Sequence, residues 1–210
     1  MSTAGLTILL AVLVLALPSP SDLTSIRPLQ RTITHPVTGA PTIQIICTTW
    51  AAYSDVHQRV WVTAAHCVFD EQGEVMLRGL MVDEKSVAIL AVNGPVDLAL
   101  LRGGPTGVAP LRVAQGMPSA FQPVWAAGYA LGATRQHLVV GIFSNAADDD
   151  HKALYNLAVA PGMSGAPILD QASGQVVGVL TQSECPAPAT WCPMSKGTPL
   201  HELRNVLGVE

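Results

Sequence analysis

The chain has 210 residues, 49% hydrophobic and only 12% charged, with 11 Lys+Arg against 15 Asp+Glu and a formal charge of -4. That balance excludes a disordered chain, which would be polar and strongly charged, and it offers nucleic acid no basic stripe to bind. The 18 Gly and 16 Pro are scattered without repeat among short runs of Val, Ile, Leu and Thr, the mixture expected of many short strands joined by turns.

Residues 5–17 read GLTILLAVLVLAL, with Thr7 the lone polar side chain, and stop at Pro-Ser-Pro. The run is shorter than the roughly 18 apolar residues of a membrane span and suits the core of a secretory signal peptide. Residues 1–20 are therefore expected to be a signal peptide, or a membrane leader if uncleaved, although no Lys or Arg precedes the run. Residues 21–40 carry Pro28, Pro36 and Gly39 with little periodicity and read as an extended N-terminal arm. Strand-like runs follow at 42–48, 60–63, 75–80, 87–92 and 98–101. The Gly/Pro-rich stretch 103–119 reads as a linker. A second set of runs falls at 124–128, 137–143, 154–159, 166–169 and 176–181, and 200–207 has the apolar spacing of a helix. These signals permit two small antiparallel β-barrels, about 41–102 and 120–210, the latter including a C-terminal helix. Periodicity alone also permits a sandwich.

Four cysteines in a chain expected to be exported point to disulfides rather than metal. They form two sequence neighbourhoods, Cys47 with Cys67 and Cys185 with Cys192. Neither a Cys-x-x-Cys nor a His pair at ligand spacing is present, and no metal or other cofactor is expected.

Three segments carry chemistry. WVTAAHCV at 61–68 ends an apolar strand in His66; VDLALL at 96–101 places Asp97 before an apolar run; PGMSGAP at 161–167 sets Ser164 in a Gly-bracketed turn. Each alone has a bland reading, as a surface histidine, a strand-starting acid or a loop serine. Together, in His–Asp–Ser order, they supply the parts of an acyl-transfer site. A serine hydroxyl is a weak nucleophile until a base takes its proton. Imidazole has a suitable pKa to take that proton and return it, and a carboxylate fixes the imidazole tautomer. Glycines around the serine let backbone N–H groups aim at a developing oxyanion.

These motifs resemble those of the chymotrypsin/trypsin-like serine proteases, the PA clan. TAAHC at 63–67 reproduces the family's histidine motif, DLALL at 97–101 matches its aspartate motif, and GMSGAP at 162–167 resembles its nucleophile motif. The resemblance runs from about Cys47 to the C-terminal helix and implies an all-β fold of two six-stranded antiparallel barrels, with the site between them. It implies His66 as general base, Asp97 as its orienting acid and Ser164 as nucleophile, with the N–H groups of Gly162 and Ser164 as oxyanion hole. It pairs Cys47 with Cys67, a bridge closing about 20 residues and contributing roughly 3 kcal/mol. Cys185 lacks its usual family partner, where Ala160 stands, and is paired with Cys192. Thr181 aligns with the family's serine whose hydroxyl helps hold the aspartate.

Met163 stands where animal digestive enzymes carry an acid that pairs with a newly cut N-terminus. That departure and the short gaps between the three motifs resemble bacterial or viral members more closely. The resemblance places the primary specificity pocket on Ala158, Val159, Leu180, Thr181, Gln182 and Ser183. With no carboxylate at its base, it is expected to take an uncharged, aliphatic residue; Glu184, just beyond the wall, is the group that could favour a basic one instead. DDDHK at 148–152 reads as a solvated loop tip rather than a cation site. The expectation is a secreted or surface-tethered, monomeric serine endopeptidase acting on polypeptides. Its rivals are a catalytically inactive binding module of the same fold and a protease domain of a viral polyprotein, whose leader would anchor it.

Overall fold

The computed structural model describes residues 23–54, 58–70, 72–76, 78–145, 152–184 and 192–209. The strands β1 (Ile26–Thr34), β2 (Pro41–Tyr53), β3 (Arg59–Thr63), β4 (Leu80–Val82), β5 (Lys85–Asn93) and β6 (Leu98–Gly103) close a barrel in the order β1-β2-β3-β6-β5-β4. A second closed barrel follows, β10-β11-β12-β9-β8-β7. Its strands are β7 (Pro123–Gly128), β8 (His137–Asn145), β9 (Ala153–Asn156), β10 (Pro167–Asp170), β11 (Val176–Glu184) and β12 (Met194–Pro199). Every ladder is antiparallel and each set of six strands closes on itself, β1 pairing with β4 and β10 with β7, so the choice between barrels and sandwich falls to barrels. Helix α1 (Leu200–Leu207) buries Leu200, Leu203 and Leu207 and ends at Gly208, whose φ of 69° and N–H bonds to the Arg204 and Asn205 carbonyls close its last turn. No helix among the described residues is long and apolar enough to cross a membrane.

Two strands depart from the sequence pattern. β1 lies in the stretch expected as an extended arm, yet it pairs with β2 along its whole length and with β4 at Leu29–Arg31. Pro28 obscured it, but that proline falls outside the three-residue ladder to β4, where a missing N–H matters least. β12 reads MSKGTP, a run with almost no strand formers. Pairing on both sides, with β11 and β9, imposes the extended conformation on it. Among the described residues of the run expected at 75–80, Val75 makes only an isolated bridge to Phe69, and β4 begins at Leu80.

Apolar packing explains the unbroken runs in the sequence. In β3, Trp61 points into the first barrel with Leu29, Val82 and Leu101, while Val60 and Val62 point outward into a layer shared with the second barrel. In β6, Ala99 and Leu101 face inward while Leu98 and Leu100 join the same layer, beside Trp125, Leu169 and Val179 of the second barrel and Leu203 of α1. Strands buried on both faces have no polar side to show. Each buried Leu or Val contributes roughly 1.5–3 kcal/mol, and the shared layer fixes one barrel against the other.

Strand register positions the candidate catalytic residues. Thr63 of β3 pairs with Ala99 of β6, so continuing past Thr63 and backing up before Ala99 brings His66 and Asp97 to the same end of the sheet. Pro167 of β10 pairs with Val179 of β11, which sets the Ser164 turn beside β11 from Leu180 onward, where the Gly165 N–H donates to the Leu180 carbonyl at 2.7 Å.

Candidate active site

His66 sits in a single 3-10 turn, Ala65–Val68, immediately after β3. Asp97 ends a turn whose N–H donates to the Gly94 carbonyl at 3.0 Å, and its backbone takes the left-handed conformation, φ 57°. Its carboxylate receives the His66 backbone N–H at 2.9 Å on Oδ1 and faces the imidazole Nδ1 at 2.9 Å from Oδ2. A carboxylate is acceptor-only, so Nδ1 carries the ring proton and leaves Nε2 with its lone pair free. The His66 side chain is 48% exposed against 23% for Asp97, so the acid lies behind the base as seen from solvent.

The bridge expected between Cys47 and Cys67 is present. One His66 ring nitrogen and the two sulfurs all lie within 4.8 Å of one another, which places the disulfide directly beside the base. The sulfurs are bonded to each other and do not act as thiolate ligands. Cys192 is also disulfide-bonded; Cys185, its expected partner, lies outside the described residues.

Ser164 is held by the first barrel although it belongs to the second. Its carbonyl accepts the Thr48 N–H at 2.9 Å, and the Thr48 hydroxyl donates to the Gly162 carbonyl at 2.9 Å while accepting the Tyr129 N–H at 3.0 Å. Thr63, just ahead of His66, donates its hydroxyl to the Thr48 carbonyl at 2.8 Å. Gly165 has φ 84°, and a Cβ there would overlap the Thr48 carbonyl and the Thr63 hydroxyl, so the absence of a side chain lets the two loops touch. The His66 ring bonds to Asp97 and, among the described residues, none of its bonds runs to Ser164 Oγ. Such contacts commonly tighten only when substrate binds.

The turn before Ser164 points backbone N–H groups away from protein acceptors. The Pro161 carbonyl accepts the Leu131 N–H at 2.6 Å, and a trans peptide then turns the Gly162 N–H to the opposite side. Gly162 has φ 92°, and a Cβ there would fall on the Tyr129 carbonyl. Neither the Gly162 nor the Ser164 N–H donates to a protein acceptor among the described residues. Met163, where an activating acid was noted as missing, is fully buried in the second-barrel core, so apolar packing anchors this turn.

Beside Ser164 lies a cavity of about 250 Å³ lined by Val159, Ala160, Pro161, Leu180, Thr181, Gln182 and Ser183. Five of the six expected pocket residues line it; Ala158 is exposed and lies outside the lining. None of the lining residues among those described is charged. The Glu184 side chain lies outside the described residues.

One expected role is overturned. Thr181 was aligned as the hydroxyl that holds the aspartate, but its buried Oγ1 has no hydrogen-bond partner among the described residues. Instead the carbonyl just before Asp97, that of Val96, accepts the Thr198 hydroxyl at 2.5 Å and the Lys152 ammonium at 3.1 Å. Lys152 was read as part of a solvated tip; it is 8% exposed and faces inward, while 146–151 lie outside the described residues. Thr48 and Thr198 stand in no motif and Lys152 ends a run that reads as solvated, so no pattern in the sequence marks their burial.

Residues 47–179 match the model of the trypsin-like peptidase domain, and the chain belongs to that family. No curated protein matches it. Among solved structures, it is similar to the HtrA-type protease AlgW with decapeptide at TM-score 0.66 and 14% identity, covering 88% of this chain and 63% of that one. A substituted form of AlgW with decapeptide matches at TM-score 0.62 and 14% identity, over 86% of this chain and 61% of the other. This chain thus spans about three-fifths of the length of those proteases, and the likeness is one of fold.

Proposed function

We propose that the protein is a secreted or surface-tethered serine endopeptidase, with Ser164 as nucleophile, His66 as general base and Asp97 as the group that orients it. The carrying observation is the His66 Nδ1 contact to Asp97 at 2.9 Å, with the Cys67 sulfur beside His66 also lying 4.0 Å from the Ser164 carbonyl oxygen. Ser164 Oγ attacks the scissile carbonyl as its proton passes to His66 Nε2. The oxyanion is met by the Gly162 and Ser164 N–H groups, His66 returns the proton to the leaving amine, and water then hydrolyses the acyl-enzyme by the same relay. No cofactor is needed.

A polypeptide substrate is supported by AlgW, whose structures hold a decapeptide. The Cys47–Cys67 bridge supports an oxidising compartment, in keeping with an apolar leader. Every group in the relay comes from one chain, so a monomer suffices. An inactive binding module is disfavoured because the His66–Asp97 contact is intact and neither N–H expected in the oxyanion hole is engaged. An uncharged lining favours an aliphatic residue before the scissile bond, since an unpaired guanidinium buried there would be penalised by several kcal/mol. Quenched peptides differing only at that residue test this: Leu should be cleaved at least tenfold faster than Arg or Glu. A strong preference for Arg would overturn the apolar pocket, and Glu184→Gln would then show whether that acid is responsible.

A further inference from the structure

The Val96 carbonyl is gripped by two donors from the opposite barrel. β12 and β9 pair Gly197 with Ala153, so one step further along the same register Thr198 comes opposite Lys152. Both side chains reach out of the second barrel to the same oxygen in the first, Thr198 at 2.5 Å and Lys152 at 3.1 Å. Thr198 is fully buried and Lys152 nearly so. Taking an ammonium out of water is unfavourable, and a solvated lysine would be the default at the end of a polar loop. Here its long stem instead carries the charge inward to a peptide oxygen.

That oxygen belongs to the peptide unit joining Val96 to Asp97. The N–H of the same unit donates to the Gly94 carbonyl at 3.0 Å, so both polar ends of the plane are fixed. Beyond it Asp97 holds a left-handed φ of 57°, a conformation costing roughly 1–2 kcal/mol for a residue with a side chain. Relaxing that φ would rotate the carboxylate away from the two His66 nitrogens it now faces. Strain of this kind persists only where the surroundings over-determine it.

We propose that Lys152 and Thr198 are positioning residues, donors from the second barrel that fix the Val96–Asp97 peptide and so keep the Asp97 carboxylate on His66. The inference rests on the catalytic reading given above. It also makes the relay depend on barrel docking: the acid and base share one barrel, but the acid is steadied by the barrel that supplies the nucleophile.

The test compares Thr198→Val, Thr198→Ser, Lys152→Met and Asp97→Asn in the full chain. Hydrolysis of a quenched peptide with Leu before the scissile bond is measured beside thermal melting and the downfield proton resonance of His66 Nδ1. Thr198→Val and Lys152→Met should each lower kcat by on the order of 10²-fold, the effect of a misplacement near 1 Å, with KM within about twofold. The His66 proton resonance should shift or broaden in both, and Thr198→Ser, which keeps the hydroxyl, should restore kcat and the signal. Wild-type kcat and an unmoved resonance in Thr198→Val and Lys152→Met, with Asp97→Asn inactive, would overturn the proposal. Wild-type activity in Asp97→Asn would instead overturn the catalytic reading. If Lys152→Met fails to fold, the Thr198→Val and Thr198→Ser pair decides the matter, because both retain the side-chain volume of that site to within a methyl group.

Discussion

The two barrels share a strand order and a size but contribute to the site in opposite ways. The first presents side chains: β3 and β6 are neighbours in register, and His66 and Asp97 stand at the same end of that pair. The second presents backbone: the turn at 161–165 runs through two left-handed glycines, and its N–H groups at Gly162 and Ser164 stay free of protein acceptors among the described residues. Ser164 is the one reactive side chain it adds. The first half of the site should therefore be broken by removing atoms and the second half by adding them.

The largest effects should come from deletion. Ser164→Ala and His66→Ala should each lower kcat by on the order of 10⁴–10⁶, because the three groups act as a unit, and Asp97→Asn by about 10⁴. Peptide hydrolysis with circular dichroism as a folding control measures all three. Addition comes next. Gly162→Ala removes nothing, yet it would drive a Cβ onto the Tyr129 carbonyl at φ 92° and displace the oxyanion donors. A loss of about 10²–10³ in kcat is expected, together with a lower melting temperature from the clash with backbone.

Stability should separate the barrels as well. The first is stapled by Cys47–Cys67, so Cys67→Ser should destabilise it by about 3 kcal/mol, read by urea unfolding, and should disturb the adjacent His66. The second carries its own polar clasp at the turn after β10. Burial pushes the Asp170 carboxyl up, but hydrogen bonds from Ser173, Gln122 and Ala172 outweigh it and hold its pKa below the usual carboxylate range. A carboxyl depressed in the folded state stabilises above its unfolded pKa, and that contribution fades as pH falls through the folded value. Asp170→Asn should therefore remove about 1 kcal/mol near neutral pH and flatten the acid limb of the melting profile.

The same contrast explains what the sequence disclosed. TAAHC and DLALL were legible because the candidate catalytic residues there border strands that are apolar on both faces, so a polar residue stands out. The Ser164 turn was legible through its glycines. β1 and β12 were not, because Pro28 in one and Ser195, Lys196 and Gly197 in the other follow no alternation; their pairing is decided by strands distant in the chain. Thr48 and Thr198 are threonines in strands, a residue type so common there that burial and partner become visible only in three dimensions. Lys152 was misread because a charge beside DDDH looks solvated until its stem is seen crossing to Val96.

The relay itself is best tested by covalent labelling. Wild-type protein treated with a fluorophosphonate and mapped by mass spectrometry should carry a single adduct on Ser164, and His66→Ala should slow its formation by several orders of magnitude. An adduct on another serine, or labelling of Ser164 at the wild-type rate without His66, would contradict the mechanism.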